Sequence, residues 1–303
     1  MSAFERERPS YPLSGGLTLH KAAESAFVSA WIAYRASQDA AFGALADLQA
    51  TLAGVPFLYW VQREQQPLAG LIMLPNNIGD FFLIPPQQHC DPILAALLPL
   101  LQAWSDPGKP IRAQMIAAEY QAAFVAQGFT VSESRRRMIR PVSPMVSELP
   151  AGFQLIPLNE SHRPGLPSLL QAGFTGSPGS YGERTVAQWA SSVDQFWTNF
   201  EPSSALARAC LLVEEVATKE IVAVLMSDRL EGLAAFRFVA TLPAYRGRGL
   251  ARALLVAGLA ALAGHEPWVQ LTVTCGNPAE ILYDRLGFRA LPATFDMVRP
   301  VST

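Results

Sequence analysis

The chain has 303 residues, of which 50% are hydrophobic and 16% charged, and its formal net charge is −2. Compact domains hold roughly 100–200 residues each, so the length predicts two domains. The small net charge gives no electrostatic reason to expect nucleic acid as a partner. The apolar run at residues 254–263 is too short to cross a membrane, and the charged residues 1–8 do not form a signal peptide. We therefore expect a cytoplasmic protein without a membrane partner.

The first half of the chain alternates predicted strands and helices. β-Branched and apolar-periodic patterns predict strands at residues 57–62, 68–74 and 109–116, and helices at residues 93–104 and 117–127. Residues 85–91 contain no glycine, and Asp91 before Pro92 has the pattern of a helix N-cap.

A proline-rich segment joins the two halves. Three prolines occur within residues 141–150, which predicts an extended and stiff connection. We expect one domain at residues 1–144 and the other at residues 145–303.

The second half repeats the same order of elements. Strands are predicted at residues 153–158, 209–215, 221–227, 233–241 and 267–274, and helices at residues 167–174, 185–200, 251–263 and 278–286. Residues 175–182 are rich in turn formers, which predicts a long loop. Arg237 lies in an otherwise apolar strand, where a guanidinium is costly to bury unless paired. It therefore either faces a cleft or pairs with one of three carboxylates, Glu214, Glu215 or Asp228.

A glycine-rich loop connects the strand at residues 233–241 to the next helix. Residues 245–254 read Tyr-Arg-Gly-Arg-Gly-Leu-Ala-Arg-Ala-Leu. Gly247 and Gly249 let backbone N–H groups approach a ligand at a helix N-terminus, where the helix dipole favours an anion. The pattern predicts a diphosphate site. A dinucleotide fingerprint needs a third glycine where Arg252 stands, and a Walker loop needs a lysine after the glycine.

A second motif follows about thirty residues later. Asn277 before Pro278 indicates a helix start, with Asn277 as N-cap, and the helix carries Tyr283 ahead of Leu-Gly-Phe at residues 286–288. Together the two motifs resemble those of the GCN5-related N-acetyltransferases (GNAT), whose Arg/Gln-x-x-Gly-x-Gly/Ala loop binds the pyrophosphate of acetyl-CoA.

The first motif matches the family loop at all its signature positions, whereas the second motif differs from the family in the spacing of one residue. The three signature positions of the loop are occupied by Arg246, Gly249 and Ala251. In the second motif, Ala279 comes one residue earlier than the commonest family spacing.

The resemblance implies a direct transfer of acetyl from acetyl-CoA, the co-substrate, to an amine. It also implies that the loop at residues 175–182 lines the acceptor side, with a plain surface loop as the alternative. Tyr283 is expected to act as the general acid that protonates the departing thiolate. Glu231 is the nearest candidate for a general base, with a water chain or no dedicated base as alternatives. The expected cofactor contacts are Val239, Ala240, Thr241, Arg246, Gly247, Arg248, Gly249, Leu250, Ala251, Arg252, Asn277 and Tyr283.

Several alternatives remain open from the sequence. Tyr283 could pack into the core, and Cys275 could serve as a catalytic thiol near the thioester. The three cysteines are widely spaced and the four histidines isolated, so neither a disulfide framework nor a metal site is expected. The acceptor is a small-molecule or peptide amine of unidentified chemistry, and the oligomeric state is not predicted. A non-catalytic CoA-binding sensor is the main functional alternative, and an NAD-linked oxidoreductase a distant one.

An internal repeat links the two halves. The dipeptide Gly-Phe at 128 and the segment Met-Ile-Arg-Pro-Val at 138 recur, as Gly-Phe and Met-Val-Arg-Pro-Val, after 159 residues (287 − 128 and 297 − 138). We therefore predict an α/β protein with two GNAT-like domains, each a mixed twisted sheet flanked by helices. At this offset Phe124 replaces Tyr283 and Ala118 replaces Asn277, so the first copy is expected to be degenerate and to have a structural or substrate-shaping role.

Overall fold

The structure is a computed structural model that describes residues 8–38, 54–55, 57–146 and 148–301. Residues 1–7, on which the prediction about a signal peptide rested, lie outside this part. The strands are β1 Ser10–Pro12, β2 Thr18–Lys21, β3 Leu58–Arg63, β4 Gln66–Leu74, β5 Asn77–Leu83, β6 Ile111–Ala117, β7 Thr130–Pro141, β8 Phe153–Pro157, β9 Leu211–Glu215, β10 Ile221–Leu230, β11 Leu233–Thr241, β12 Trp268–Thr274 and β13 Arg289–Arg299. The α-helices are α1 Glu24–Gln38, α2 Asp91–Trp104, α3 Gln121–Ala126, α4 Leu166–Phe174, α5 Val186–Thr198, α6 Ala205–Arg208, α7 Leu250–Leu262 and α8 Ala279–Arg285.

The chain divides into two compact units. The first comprises Met1–Arg136 with Pro292–Thr303, and the second comprises Arg137–Leu291. Strands follow the order β1-β2-β3-β4-β5-β6-β13 in the first unit and β7-β12-β11-β10-β9-β8 in the second. Both sheets are mixed, because β5 and β6 are parallel in one and β11 and β12 are parallel in the other. The predicted α/β class with two mixed, helix-flanked sheets is confirmed.

The two copies exchange their last strands. Strand β13, which ends the second copy in sequence, pairs antiparallel with β6, and its Met297 is buried in the core of the first unit. The repeat-related Met138 on β7 is buried in the core of the second unit. The boundary at residue 144 therefore divides the repeat in sequence, whereas each packed unit borrows its last strand from the other copy.

The site-bearing strand β11 is buried between two layers of helices. One face of the sheet carries Phe236 and packs under α7, and the opposite face carries Phe238 and packs under α4 and α5. A side chain at Gly258 of α7 would come within 2.6 Å of Leu225 and 3.1 Å of Phe236, so glycine permits the close contact of helix and sheet. Helices therefore cover β11 on both faces.

Two local predictions in the first unit need correction. The prediction of Asp91 as an N-cap is wrong, because α2 begins at Asp91 itself and the capping position is Cys90, whose side chain makes no capping bond. The carboxylate nevertheless stays in the first turn, where the helix dipole favours it. The helix predicted at residues 117–127 starts later, because β6 continues to Ala117 and a short 3-10 turn precedes α3 at Gln121.

Candidate functional site

A pocket opens in the second unit where β11 and β12 separate. The two parallel strands pair over residues 234–235 of β11 and 269–270 of β12. Beyond these pairs, both strands line a pocket of about 40 Å³, which exceeds the roughly 10–15 Å³ that a cavity needs to hold one water molecule. The pocket therefore has room for a small group such as an acyl group.

A β-bulge in β11 shapes the pocket wall. Met226 of β10 pairs with Phe238 and Ser227 pairs with Phe236, so Arg237 is the extra residue. A bulge of this kind re-aims side chains and interrupts the ladder. The bulge changes which residues of β11 share a face of the sheet. Phe236 and Val239 pack against the core under α7, and Phe238 packs on the opposite face.

The end of β11, residues 239–241, is paired with a neighbouring strand on one edge only. Val239, Ala240 and Thr241 pair with residues 225–223 of β10, and no pairing to β12 is recorded for them in the described chain. Val239 lines the pocket, whereas Ala240 is buried beneath α4. The backbone groups that face the separated edge are thus available to an extended ligand.

Tyr283 on α8 lines the pocket. Its ring packs edge-on against Phe288 at 6.1 Å between centroids, and no hydrogen bond from the hydroxyl is found in the described part of the chain. Burial raises the pKa of Tyr283 to about 12. The phenol therefore carries its proton at neutral pH, as a general acid requires.

Asn277 lies at the start of the same helix and also lines the pocket. Its side-chain oxygen accepts a hydrogen bond of 2.9 Å from the N–H of Ala279, and its carbonyl accepts one of 2.9 Å from the N–H of Glu280. The prediction of Asn277 as the N-cap is wrong by one residue, because the helix begins at Ala279 and Pro278 takes the capping position, but the Asn277 side chain still accepts a bond from the first turn.

The glycine loop at residues 245–251 leads into the N-terminus of α7 and is called the glycine cradle below. Gly247 and Gly249 have φ values of +77° and +80°, and a Cβ on either would meet no atom within 4 Å. No hydrogen bond is donated by the N–H groups of residues 247–251 within the described ranges, and the first turn of α7 contains no acidic residue. Unpaired N–H groups, open space and a helix dipole together fit a diphosphate.

The arginines of the loop divide their roles. The Arg246 side chain donates to the carbonyl of Gly173 at 2.9 Å and of Thr175 at 3.3 Å, which ties the end of α4 to the loop. Arg248 lies over the ring of Tyr245 and is exposed, and Arg252 projects from the first turn of α7. Because the Arg246 guanidinium is engaged by these carbonyls, the backbone N–H groups of the loop are the better candidates to bind an anion.

Glu231 lies away from the pocket. It occupies the turn between β10 and β11 with φ of +49°, and its carboxylate forms a two-bond ion pair with Arg137, of which the Nη2 to Oε1 bond is 2.9 Å. Both side chains are about nine-tenths buried. Glu231 is not among the described residues that line the pocket. Its role as a base stays a prediction without a geometric partner.

Arg237 satisfies both interpretations that its sequence position allowed. It lines the pocket, and its Nε lies 3.9 Å from the Oδ2 of Asp228 on the neighbouring strand. Burial raises the pKa of Asp228 to about 6, against the opposing effect of Arg237. The turn-rich loop left open in the sequence also lines the pocket, through Ser177, Pro178 and Tyr181. That participation had no signal in the sequence beyond the family resemblance.

The cysteines do not contribute to the pocket lining. Cys90 and Cys210 are buried, and Cys275 is partly exposed next to the pocket without being part of its wall. Among the described residues, no cluster of three or more His, Cys, Asp or Glu side chains could hold a metal ion. No helix in the described ranges is long and apolar enough to cross a membrane.

The corresponding region of the first unit is filled with aromatic side chains. Phe124, at the position of Tyr283, is fully buried against Phe81 and Phe129. Tyr34 from α1 stacks on Phe82 at 5.3 Å and on Tyr120 at 6.4 Å. These rings occupy the space near the end of β5, where a ligand would have to enter.

Comparison with known proteins gives one family match and several similar folds. Residues 207–290 match the sequence model of the acetyltransferase (GNAT) domain. No curated protein sequence matches the chain significantly. A GCN5-related N-acetyltransferase from Sphaerobacter thermophilus has a similar fold, with a TM-score of 0.72, 15% identity and coverage of 96% of this chain and 98% of its own. A tandem GNAT protein from the clavulanic acid biosynthesis pathway aligns with a TM-score of 0.61, 14% identity and coverage of 95% and 99% respectively.

Proposed function

Because the second half of the chain contains a GNAT domain, we propose that this protein is an acetyl-CoA-dependent N-acetyltransferase whose single active site lies between β11 and β12. The observation that carries the proposal is the placement of one protonated phenol, Tyr283, in a pocket that continues along an unpaired strand edge. The glycine cradle belongs to the same unit. Phenol, strand edge and cradle are the three parts that such a reaction needs.

Four groups of this chain are proposed to bind acetyl-CoA. The N–H groups of residues 247–251 hold the diphosphate, and the free edge of residues 239–241 holds the amide-bearing arm. Asn277 lies where the arm ends. The backbone beside the bulge at Arg237 supplies donors to the developing oxyanion.

The proposed transfer is direct and needs no covalent enzyme intermediate. The acceptor nitrogen forms a bond to the acetyl carbon, and the carbon–sulfur bond breaks. The nitrogen releases one proton to solvent, and Tyr283 donates one proton to the thiolate and regains it from solvent. Such proton transfers typically contribute about 10²–10⁴ in rate.

A coupled assay tests the proposal. The purified protein is incubated with acetyl-CoA and a panel of amines, while thiol release and acetylated product are measured together. Equal amounts of thiol and acetylamine support the enzyme. Tight acetyl-CoA binding without turnover on any amine supports a CoA-binding sensor instead, and absence of acetyl-CoA binding contradicts both.

A further inference from the structure

The pocket between β11 and β12 has an uneven charge. Arg237 is the one charged residue among the described residues that line it, and the polar groups beside it are neutral hydroxyls and an amide. A polyamine or another cationic acceptor would meet Arg237 but no carboxylate among these lining residues, because Asp228 contacts Arg237 and is not part of the described lining. The lining therefore favours an acceptor that brings negative charge.

Arg237 has binding capacity left for such a group. Its contact with Asp228, at 3.9 Å, is too long for a hydrogen bond, and about one third of the side chain is exposed. No hydrogen bond to its guanidinium is found in the described part of the chain. A guanidinium offers five N–H donors in a planar fork that matches a carboxylate.

The bulge places this guanidinium opposite the turn-rich loop. Phe238 packs on the face of the sheet under α4 and α5, the Arg237 guanidinium lies 5.7 Å from its ring centroid, and the loop after α4 contributes Ser177 and Tyr181 to the same pocket. The arm of acetyl-CoA would occupy the strand edge, so this wall is left for the acceptor.

We propose that the acceptor is a small amine that carries a carboxylate, of the amino-acid type, and that Arg237 binds this carboxylate while Asp228 positions the guanidinium. The inference rests on the proposed function and names the substrate class for the same pocket. The charge of Arg237 also disfavours the ammonium form of an amine bound nearby, which increases the fraction of free amine that can attack.

Matched acceptors test the inference. The panel contains the proteinogenic amino acids, the primary amide of each, phosphoethanolamine and spermidine, with acetyl-CoA as donor. For the best amino acid, kcat/KM should exceed that of its own amide by about tenfold to a hundredfold, the scale of a lost charge-assisted hydrogen bond.

Three variants test whether Arg237 and Asp228 cause the preference for the amino acid. Arg237→Met should raise KM for the amino acid about tenfold or more and remove its advantage over the amide. Arg229→Met, which removes another arginine of the same sheet, paired with Glu266 outside the pocket, should preserve the advantage. Asp228→Asn should reduce the preference partly, with KM more affected than kcat.

The outcomes separate this inference from the proposed function. Equal turnover of amino acids and amides, or preference for spermidine or phosphoethanolamine, overturns the inference and leaves the acetyltransferase intact. Acetyl-CoA binding without turnover of any acceptor overturns both. If Arg237→Met does not fold, the comparison of amino acid and amide in the unaltered protein decides alone.

Discussion

The hydroxyl of Tyr120 accepts a hydrogen bond of 3.1 Å from the backbone N–H of Leu83, at the end of β5. In the second unit, no backbone N–H of residues 239–241 donates to a side chain in the described chain, although the Arg246 side chain donates to the carbonyl of Thr241 at 3.4 Å. The first unit therefore uses its own side chain where the second leaves a backbone edge for a ligand. The contact is a third reason, besides the missing glycine loop and the missing phenol, to expect that the first unit does not bind acetyl-CoA.

From this difference we predict that one acetyl-CoA binds per chain, in the second unit. Titration calorimetry on the full chain should give a stoichiometry near one. Two equivalent sites per chain would show that the first unit also binds, and would contradict the degenerate first copy.

The glycine cradle predicts the effect of Gly249→Asp. A carboxylate placed at the N-terminus of α7 repels a diphosphate, although it also favours the helix dipole, so the variant should fold and lose acetyl-CoA binding. Gly264→Asp is the matched control, because Gly264 also has positive φ, +77°, and open space around it, at the other end of the same helix. Calorimetry that finds unchanged affinity in a folded Gly249→Asp variant would rule out the cradle.

The ion pair of Glu231 and Arg137 predicts a stability effect without a catalytic one. Glu231→Gln removes the carboxylate charge from its buried pair with Arg137, which should lower the free energy of unfolding by about 3–5 kcal/mol, measured by urea titration. Glu266→Gln breaks the more exposed pair with Arg229 and should cost about 1 kcal/mol or less. Should Glu231→Gln keep its stability but lose kcat, Glu231 is the base that the sequence suggested.

The carboxyl of Asp228 predicts a pH dependence of stability. Its pKa is raised from 3.8 to about 6 in the folded chain. Between these values the folded state binds more protons than the unfolded state, so this group's contribution to the free energy of unfolding falls as pH rises from about 4 to about 6. The total change is at most about 3 kcal/mol. Urea titrations of Asp228→Asn at pH about 4 and about 6 should no longer show this part of the change in the free energy of unfolding. The same change in the variant and in the unaltered protein would refute a raised pKa for Asp228.

Sequence patterns predicted where the strands, helices and motifs of the site lie better than they predicted which distant segments contact them. The positions of β11 and Tyr283 and the conformation of Gly247 and Gly249 follow from local rules, because strand composition, family motif and backbone freedom are all readable within a few residues. The exchange of β7 and β13 was not predictable in this way, since the two copies carry similar last strands and either could pair at either place.

The surroundings of single charged residues also depended on distant segments. Glu231 appeared close to the site in sequence, yet its partner Arg137 comes from a strand 94 residues away. For Arg237, the sequence offered a cleft or an ion pair as alternatives, and the bulge allows both because it aims the side chain toward a neighbouring carboxylate and an open pocket together. Neither bulge nor partner follows from the strand's own composition.

The rate of thiol release by Tyr283→Phe tests the central claim most directly. With acetyl-CoA and the best acceptor saturating, removal of the phenolic proton should lower kcat by about a hundredfold or more, with little change in acetyl-CoA affinity. Tyr59→Phe, which removes the hydroxyl of a buried tyrosine in the first unit, should leave kcat within about twofold. An unchanged kcat in folded Tyr283→Phe would contradict the account and reduce Tyr283 to a packing residue.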